Sequence, residues 1–422
     1  MRDISPEEAE SAEAVRAAFV QTCSLFDYKL MEPSTLELVE TLEAKSGPAV
    51  RDEIYLLTEK GEAGKTLGLR FDLTVGITRF VAARRDLAPP VRLGSFASMW
   101  RYDNPQYGRY RWFYQWDAEL FGPSNAEADA EIIEFSYRLF RKIGTQPEIR
   151  INSRKIVEEF ICTRLGITDK NRILDIMRVI DKVPKRGFDS VMQEYAGSVA
   201  SVDQFEKLRK YVELSRESDS PLEEMSGRFS VDTGPLTKIV DSLKNRGIGS
   251  FKIDSGIVRG IDYYTDMVFE AYDKENSNLG SLCGGGRYDS LPEIYGRAGL
   301  GATGVAGGVE RAILAHKIAT KGQPLIRVFV APVGKSEAAN RAAEEIASLL
   351  RESDIPAQSE ISGRSLRKIL EAQSAAGVEA VIIIGDQELA SKTVKIKWMR
   401  SGEEEKVSPQ ELARRLLGNT RE

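Results

Sequence analysis

Five arginines in this 422-residue chain stand at strand-like ends or beside glycines: Arg101, Arg109, Arg111, Arg259 and Arg311. A guanidinium meets phosphate oxygens with paired N–H bonds and keeps its charge at any working pH. Such a set suits an α-phosphate that gains charge during displacement. Taken singly, each arginine is more often a surface ion pair; their number and placement are what favour an anion. Arg259 lies in the stretch VRGIDYYTDMVFEA, residues 258–271, where a glycine, an acid and the phenols Tyr263 and Tyr264 precede an apolar run.

A second group has the character of a receptor for a small zwitterion. Asp72 with Thr74 follows a strand-like run, and Gln115 and Glu119 stand two pleats apart on one strand face, able to hold an ammonium group and a polar side chain. Tyr263, Tyr264 and Tyr288 add hydroxyls on apolar rings; the alternative for each is a core tyrosine with a satisfied hydroxyl.

Other chemistries are poorly supplied. The one histidine, His316, sits in the helical run GVERAILAHKIA and reads as structural, so an imidazole triad or a His-rich metal site is nearly excluded. Cys23, Cys162 and Cys283 match neither a disulfide framework nor a zinc spacing, which fits a reducing cytoplasm. No GxxxxGK[ST] or HExxH run occurs, and GLGATG at residues 299–304 lacks the helix start and distant acid of a dinucleotide fingerprint. Its glycines read instead as room for a ligand or a neighbouring backbone.

Hydrophobic residues at 42% and charged residues at 29% are ordinary for a soluble globular protein. No apolar run reaches the ~18 to 20 residues of a membrane helix, and the N-terminus lacks a secretory pattern, so no membrane association is expected. With 59 Lys and Arg against 64 Asp and Glu, net charge is −5, and any polyanion must be bound by a local patch.

These groups need elements to hold them. Residues 91–121 read as a hairpin around a loop at Asp103, Asn104, Pro105 and Gly108. In its second strand Tyr110, Trp112, Tyr114, Trp116, Ala118 and Leu120 alternate with Arg111, Phe113, Gln115, Asp117 and Glu119. One face therefore packs on the core; the other lines a polar site or, alternatively, is an outer face with cross-strand charge pairs. Upstream, helices are expected over 6–26, Ser34 to Lys45 and Thr74 to Ala83, with strands at Tyr28 to Met31 and Leu67 to Asp72. The span 168–225 reads as a helical insertion with a break at Pro184, dividing a core of residues 1–167 and 226–318. Residues 319–324 read as a linker, and 325–422 as a compact α/β domain of alternating strands and helices.

The segment RYDNPQYGRYRWFYQWDAELFG resembles the motif 2 strand, loop and strand of class II aminoacyl-tRNA synthetases, and GATGVAGGVER resembles their motif 3. VRGIDYYTDMVFE and GGGRYD resemble the two histidine-specific signatures of the histidyl-tRNA synthetase family. LRFDLTVGITRFVA resembles a further segment of that family, and residues 364–398 resemble its C-terminal anticodon-binding domain. The resemblance spans nearly the whole chain.

It implies an α+β catalytic core with an antiparallel sheet flanked by helices, a helical insertion and a C-terminal α/β domain. It implies ATP-dependent activation of L-histidine to histidyl-adenylate and transfer to the 3′ end of tRNA(His), with ATP and Mg2+ as the substrate complex and no prosthetic group. Arg101, Arg109, Arg111, Phe113 and Arg311 would bind ATP. Asp72, Leu73, Thr74, Arg101, Gln115, Glu119, Arg259, Tyr263, Tyr264 and Tyr288 would bind histidine, with Arg259 and Arg101 catalytic. Asn104, Gln106, Arg364, Arg367 and Lys368 are candidates to meet tRNA, the alternative being a solvated helix face or turn, and a segment around Tyr28 to Glu37 would build a homodimer. Phe71 stands where the family has proline, which bears on the turn presenting Asp72. A histidine-binding regulatory subunit of ATP phosphoribosyltransferase resembles the same core but generally lacks the C-terminal domain and several of the arginines, both present here.

Overall fold

The computed structural model describes residues 3–46, 48–58, 65–102, 110–259, 263–315, 327–334 and 336–418. The chain forms two units, Met1–Ala319 and Thr320–Glu422.

The strands of the first unit are β1 (Lys29–Leu30), β2 (Leu36–Leu38), β3 (Leu56–Thr58), β4 (Thr66–Leu69), β5 (Val91–Trp100), β6 (Trp112–Gly122), β7 (Pro147–Ser153), β8 (Phe251–Ile253), β9 (Met267–Asp273), β10 (Cys283–Arg287) and β11 (Gly301–Gly308). Eight of them form one sheet in the order β1-β5-β6-β11-β10-β9-β7-β8. Its interior pairs are antiparallel, and only the edge pairs β1/β5 and β7/β8 run parallel. The sheet is thus the expected antiparallel one, with a parallel pair at each rim.

The alternation on β6 sorts as expected. Trp116, Ala118 and Leu120 are buried in a cluster with Val15 and Phe19 of the helix Pro6–Leu25 and Phe135 and Phe140 of the helix Ala126–Lys142. The Trp116 ring lies 5.9 Å from Phe19 and 5.8 Å from Phe140. The helix Pro6–Leu25 starts where it does because the Ser5 side chain accepts from the Glu8 N–H and Glu8 accepts from the Ser5 N–H, with Pro6 in the first turn. The other face of β6 lies under the helix Leu73–Ala83, whose Leu73, Ile77 and Val81 share a cluster with Phe121, Tyr263 and Tyr288.

Two local expectations are corrected. The helix expected from Ser34 begins only at Val39, because Leu36–Leu38 pairs with β4 in the register Leu36↔Leu69 and Leu38↔Leu67. That ladder joins segments far apart in sequence, which local periodicity does not register. The break expected at Pro184 falls at Gly187: Pro184 lies inside the helix Lys170–Arg186, and Gly187 ends it at φ 77°. Three further helices, Phe188–Tyr195, Val202–Glu217 and Pro221–Phe229, follow. The last two pack on the helix Arg154–Arg164, where Phe160 stacks on Tyr211 with ring centroids 4.2 Å apart and meets Phe229 at 5.1 Å, and Phe188 of the first lies 6.3 Å from Phe205.

The second unit carries β12 (Val328–Pro332), β13 (Ala357–Ser359), β14 (Ala380–Ile384), β15 (Val394–Trp398) and β16 (Glu404–Val407), in the order β13-β12-β14-β15-β16. Helices Glu337–Glu352 and Pro409–Gly418 cover one face of this sheet and Leu366–Ala375 the other. The expected order of strands and helices appears, with an additional short helix, Asp386–Ser391. Among the described residues no helix is long and apolar enough to cross a membrane.

Candidate active site

Glycines hollow out the pocket. The register puts Gly286 opposite Gly304 and Gly284 opposite Ala306. A Cβ on Gly304 would stand 1.5 Å from Glu119 Oε2, one on Gly284 2.4 Å from Arg259 Cζ, and one on Gly286 2.8 Å from Tyr264 Cδ1. An acid, a guanidinium and a phenol therefore lie directly on the backbone of β10 and β11. Gly284 and Gly304 are diagonal neighbours, about 7 to 8 Å apart in such a pair. The run GLGATG thus ends in a strand that the side chain of Glu119 overlies.

One wall comes from β6 and the start of the helix Leu73–Ala83. Asp72 caps that helix, its carboxylate accepting from the Val75 N–H at 3.0 Å. Gln115, Asp117 and Glu119 point the same way from alternate positions and are all buried. Asp117 brackets its neighbours, accepting from Gln115 Nε2 at 2.9 Å and from Thr74 Oγ1 at 3.2 Å. The Tyr288 hydroxyl donates to Glu119 Oε2, while Glu119 Oε1 is buried with no partner. Burial first, and then the charge of Asp117, push the Glu119 carboxyl well above the ordinary range, with Tyr288 opposing.

Two arginines form the opposing character. Arg101 Nε donates to the Phe71 carbonyl at 2.9 Å and Arg101 Nη2 to Gln115 Oε1 at 3.1 Å, and its guanidinium lies 5.1 Å from the centre of the Phe113 ring. Phe71 is itself buried with Leu42, Val50, Ile54 and Val75, so its ring anchors the backbone that holds Arg101. Arg259 is half-buried, its backbone is left-handed at φ 54°, and its Nε is buried with no partner. Nη1 is taken by Glu270 Oε1 at 2.6 Å.

The phenols close the third side. Tyr263 lies 4.5 Å from Tyr264 and 5.7 Å from Tyr288, centroid to centroid. Burial, then the negative charge of Asp72, raise the Tyr263 hydroxyl, and burial, then Glu119, raise that of Tyr288. Both stay neutral and can donate at working pH.

Of the residues singled out in the sequence, Asp72, Thr74, Arg101, Gln115, Glu119, Arg259, Tyr263, Tyr264 and Tyr288 line this one pocket. Leu73 is fully buried behind the tyrosines. Arg111 lies 4.3 Å over the Tyr102 ring, and Arg311 donates to the Ser281 carbonyl at 2.9 Å; neither lines the pocket. Asn104, Gln106, Arg109 and His316 lie outside the described residues. In the second unit Arg364 pairs with Glu360 at 2.7 Å and Arg367 with Glu371 at 2.9 Å, beside exposed Lys368. The bracketing role of Asp117 and the ion pair of Glu270 escaped the sequence reading. An acid between Gln115 and Glu119, and another inside the apolar run VFEA, were the available signals.

What the pocket can do follows from its polarity. Acids and an amide on β6 line the pocket together with two guanidinium groups, so a zwitterion would put its ammonium on the first and its carboxylate on the second.

Comparison with known proteins finds relatives across nearly the whole chain. The family model described as "Histidyl-tRNA synthetase" matches residues 1–312, and that described as "Anticodon binding domain" matches residues 327–419. A "Histidine--tRNA ligase" of Thermococcus kodakarensis is 33% identical over 99% of this chain and 97% of its own. One from Pyrococcus furiosus is 32% identical over 96% of this chain and 95% of its own. Among solved structures, histidyl-tRNA synthetase from Nostoc sp. PCC 7120 superposes with a TM-score of 0.79 at 22% identity, covering 97% of this chain and 95% of that one. An "ATP phosphoribosyltransferase regulatory subunit/histidyl-tRNA synthetase" from Bacillus halodurans superposes at 0.74 and 22% identity, covering 91% of this chain and 97% of that one. These structures share its fold.

Proposed function

The chain belongs to the histidyl-tRNA synthetase family, and from that premise we propose how its pocket carries out the family's reaction. The protein activates L-histidine with ATP to histidyl-adenylate and transfers the histidyl group to tRNA(His). A histidine carboxylate oxygen attacks the α-phosphorus in line, the bond to the β-phosphate oxygen breaks, and pyrophosphate leaves. A hydroxyl at the tRNA 3′ end then attacks the carbonyl carbon, AMP leaves, and the hydroxyl proton is released.

The observation that carries the division of labour is the diagonal spacing of Glu119 and Arg259 over Gly304 and Gly284. It leaves the span of one amino acid between a carboxylate and a guanidinium. Arg259 takes the histidine carboxylate and the α-phosphate, Glu119 and Tyr264 read the imidazole nitrogens, and Asp72, Thr74 and Gln115 hold the ammonium group. Arg101, stacked on Phe113, and Arg311 take ATP phosphates, with Arg109 and Arg111 beside them. Losing one such charge stabiliser slows a reaction by about 10²- to 10³-fold. ATP enters as its magnesium complex, so the ion belongs to the substrate.

Residues 1–167 and 226–318 serve as the catalytic core, 168–225 as an insertion, 319–324 as a linker and 325–422 as the anticodon-binding domain. Arg364, Arg367 and Lys368 there, and Asn104 and Gln106 near the acceptor end, contact tRNA, so binding weakens with salt. The working form is a homodimer, supported by the exposed leucines Leu30, Leu36, Leu38, Leu56 and Leu57 around the expected interface segment. A reducing cytoplasm is its compartment, in keeping with three free cysteines.

The test is ATP–pyrophosphate exchange with each of the twenty amino acids, without tRNA. Exchange with histidine alone is expected; no exchange by folded protein that still binds histidine would overturn the reading.

A further inference from the structure

Arg259 is held from more sides than a surface arginine would be. Its backbone is left-handed, a conformation uncommon outside glycine. The carbonyls that flank this bend, those of Val258 and Arg259, both accept from Arg154 Nη1 at 2.9 Å. The guanidinium lies flat on Gly284, where no side chain would fit. Gly284 is the cross-strand partner of Glu270, so the register brings the Glu270 carboxylate to the edge of that guanidinium.

Glu270 is itself fixed. One of its oxygens accepts from Arg259 Nη1 at 2.6 Å and the other from the Tyr272 hydroxyl, one pleat along β9. The Tyr272 ring is covered by Arg150 at 4.3 Å, and Arg150 is tied to Glu148 at 3.2 Å and Asp254 at 3.5 Å. Glu270 does not line the pocket, so it acts only through what it holds. With Nη1 occupied by Glu270, the guanidinium, which lines the pocket, meets a ligand through its other N–H groups.

We infer that Glu270 is a positioning residue for histidine activation: its carboxylate, braced by Tyr272, fixes the plane of the Arg259 guanidinium so that its remaining N–H donors face the reacting carboxylate and α-phosphate. The inference rests on the proposed role of Arg259. It has a physical scale, since a misplacement of about 1 Å in a charge-stabilising group is enough for a roughly 10²-fold loss.

The experiment compares Glu270→Gln, Glu270→Ala, Arg259→Ala and the two double variants in ATP–pyrophosphate exchange, with kcat and the KM for ATP determined and thermal melting run on each. Glu270→Gln keeps the shape and an acceptor but removes the charge, and it carries the test should the alanine variant not fold. The expected result is a kcat lower by about 10- to 100-fold for Glu270→Gln, with the KM for ATP within about three-fold and melting near that of the parent. In the Arg259→Ala background the same change should alter kcat by less than about two-fold, because the group it positions is gone. A Glu270→Gln variant as active as the parent beside a slow Arg259→Ala overturns the positioning role and leaves the role of Arg259 intact. Equal losses in both backgrounds also overturn it, as the mark of a merely structural residue. Full activity in Arg259→Ala removes the reading beneath it as well.

Discussion

Glu119 and Arg259 reach the same pocket from different strands and loops, yet each rests on a glycine, Gly304 and Gly284, that are diagonal neighbours on β11 and β10. The distance between the acid and the guanidinium is therefore set by the pleat of the sheet and not by flexible side chains. A site with that spacing measures the length of its ligand.

Glu119 should trade stability against recognition. Burial raises its pKa in the fold, so the folded state binds the proton more tightly than the unfolded chain. Its contribution to stability is full below the ordinary carboxyl range, near the reference value of 4.5, and is lost as pH rises through the raised value. Glu119→Gln, which cannot ionise, should melt at a higher temperature than the parent near pH 8 and show a flatter dependence below it. The same variant should raise the KM for histidine by about 10- to 100-fold, the scale of one buried hydrogen bond to a charged group. Melting curves across pH and histidine-dependent exchange check both; a variant neither stabilised nor impaired would count against a buried, ligand-facing carboxylate.

Gly304→Ala tests the floor directly. The new Cβ would fall 1.5 Å from Glu119 Oε2 and 3.0 Å from the Ala118 carbonyl, so the carboxylate must leave its place. Histidine-dependent exchange should drop by at least about 10²-fold, while far-ultraviolet circular dichroism stays that of a folded protein. Exchange close to the parental rate would mean that Glu119 does not need its position.

Much of this site was legible because a strand has a period of two: Gln115, Asp117 and Glu119 had to share a face once Trp116 and Ala118 were assigned to the core. Glycines in the GLGATG run signalled close approach, though not what approaches. What stayed hidden depends on register between distant strands. Glu270 meets Arg259 only because β9 pairs with β10 so that Glu270 faces Gly284, and β2 exists only because β4 lies beside it. The arginine set was read as one group, whereas the fold divides it: Arg101 and Arg259 line the pocket, and Arg111 and Arg311 engage Tyr102 and the Ser281 carbonyl.

The signature around Tyr288 also has a structural root. Arg287 and Asp129 are both buried, and Asp129 accepts from Arg287 Nη2 at 2.8 Å and from Nε at 3.1 Å. Asp129→Ala would leave a buried guanidinium with only Asp289 as its carboxylate partner, at 2.9 Å. Removing one member of such a pair destabilises by roughly 3 to 5 kcal/mol. Denaturant melts should show that loss, and a variant within about 1 kcal/mol of the parent would be inconsistent with it. Because Tyr288 is the next residue, whatever folded protein remains should also bind histidine more weakly.

The proposed homodimer is open to a sharper test than its mass, because the exposed leucines and the pocket share a frame. Leu30 is 52% exposed, Leu36 44% and Leu56 46%, and they lie on β1, β2 and β3. A stable interface covers about 800 Å² per partner, so such side chains are its natural centre. Pro33, between β1 and β2, packs against the helix Leu73–Ala83, where a Cβ on Gly76 would stand 2.6 Å from its ring. Its carbonyl accepts from Arg70 Nη1 at 2.5 Å, and Arg70 Nε donates to the Ser98 carbonyl on β5 at 2.9 Å. The proposed interface segment is thus joined through Arg70 and Pro33 to the helix that begins at Asp72 and to the strand that leads into Arg101. Leu36→Glu with Leu56→Glu should place charges where apolar contact is needed and yield monomers in sedimentation. Those monomers should also lose histidine-dependent exchange by about ten-fold or more, as the helix carrying Asp72 and Thr74 loses its support. A dimer that survives both charges would move the interface elsewhere, and fully active monomers would break the link between this segment and the pocket.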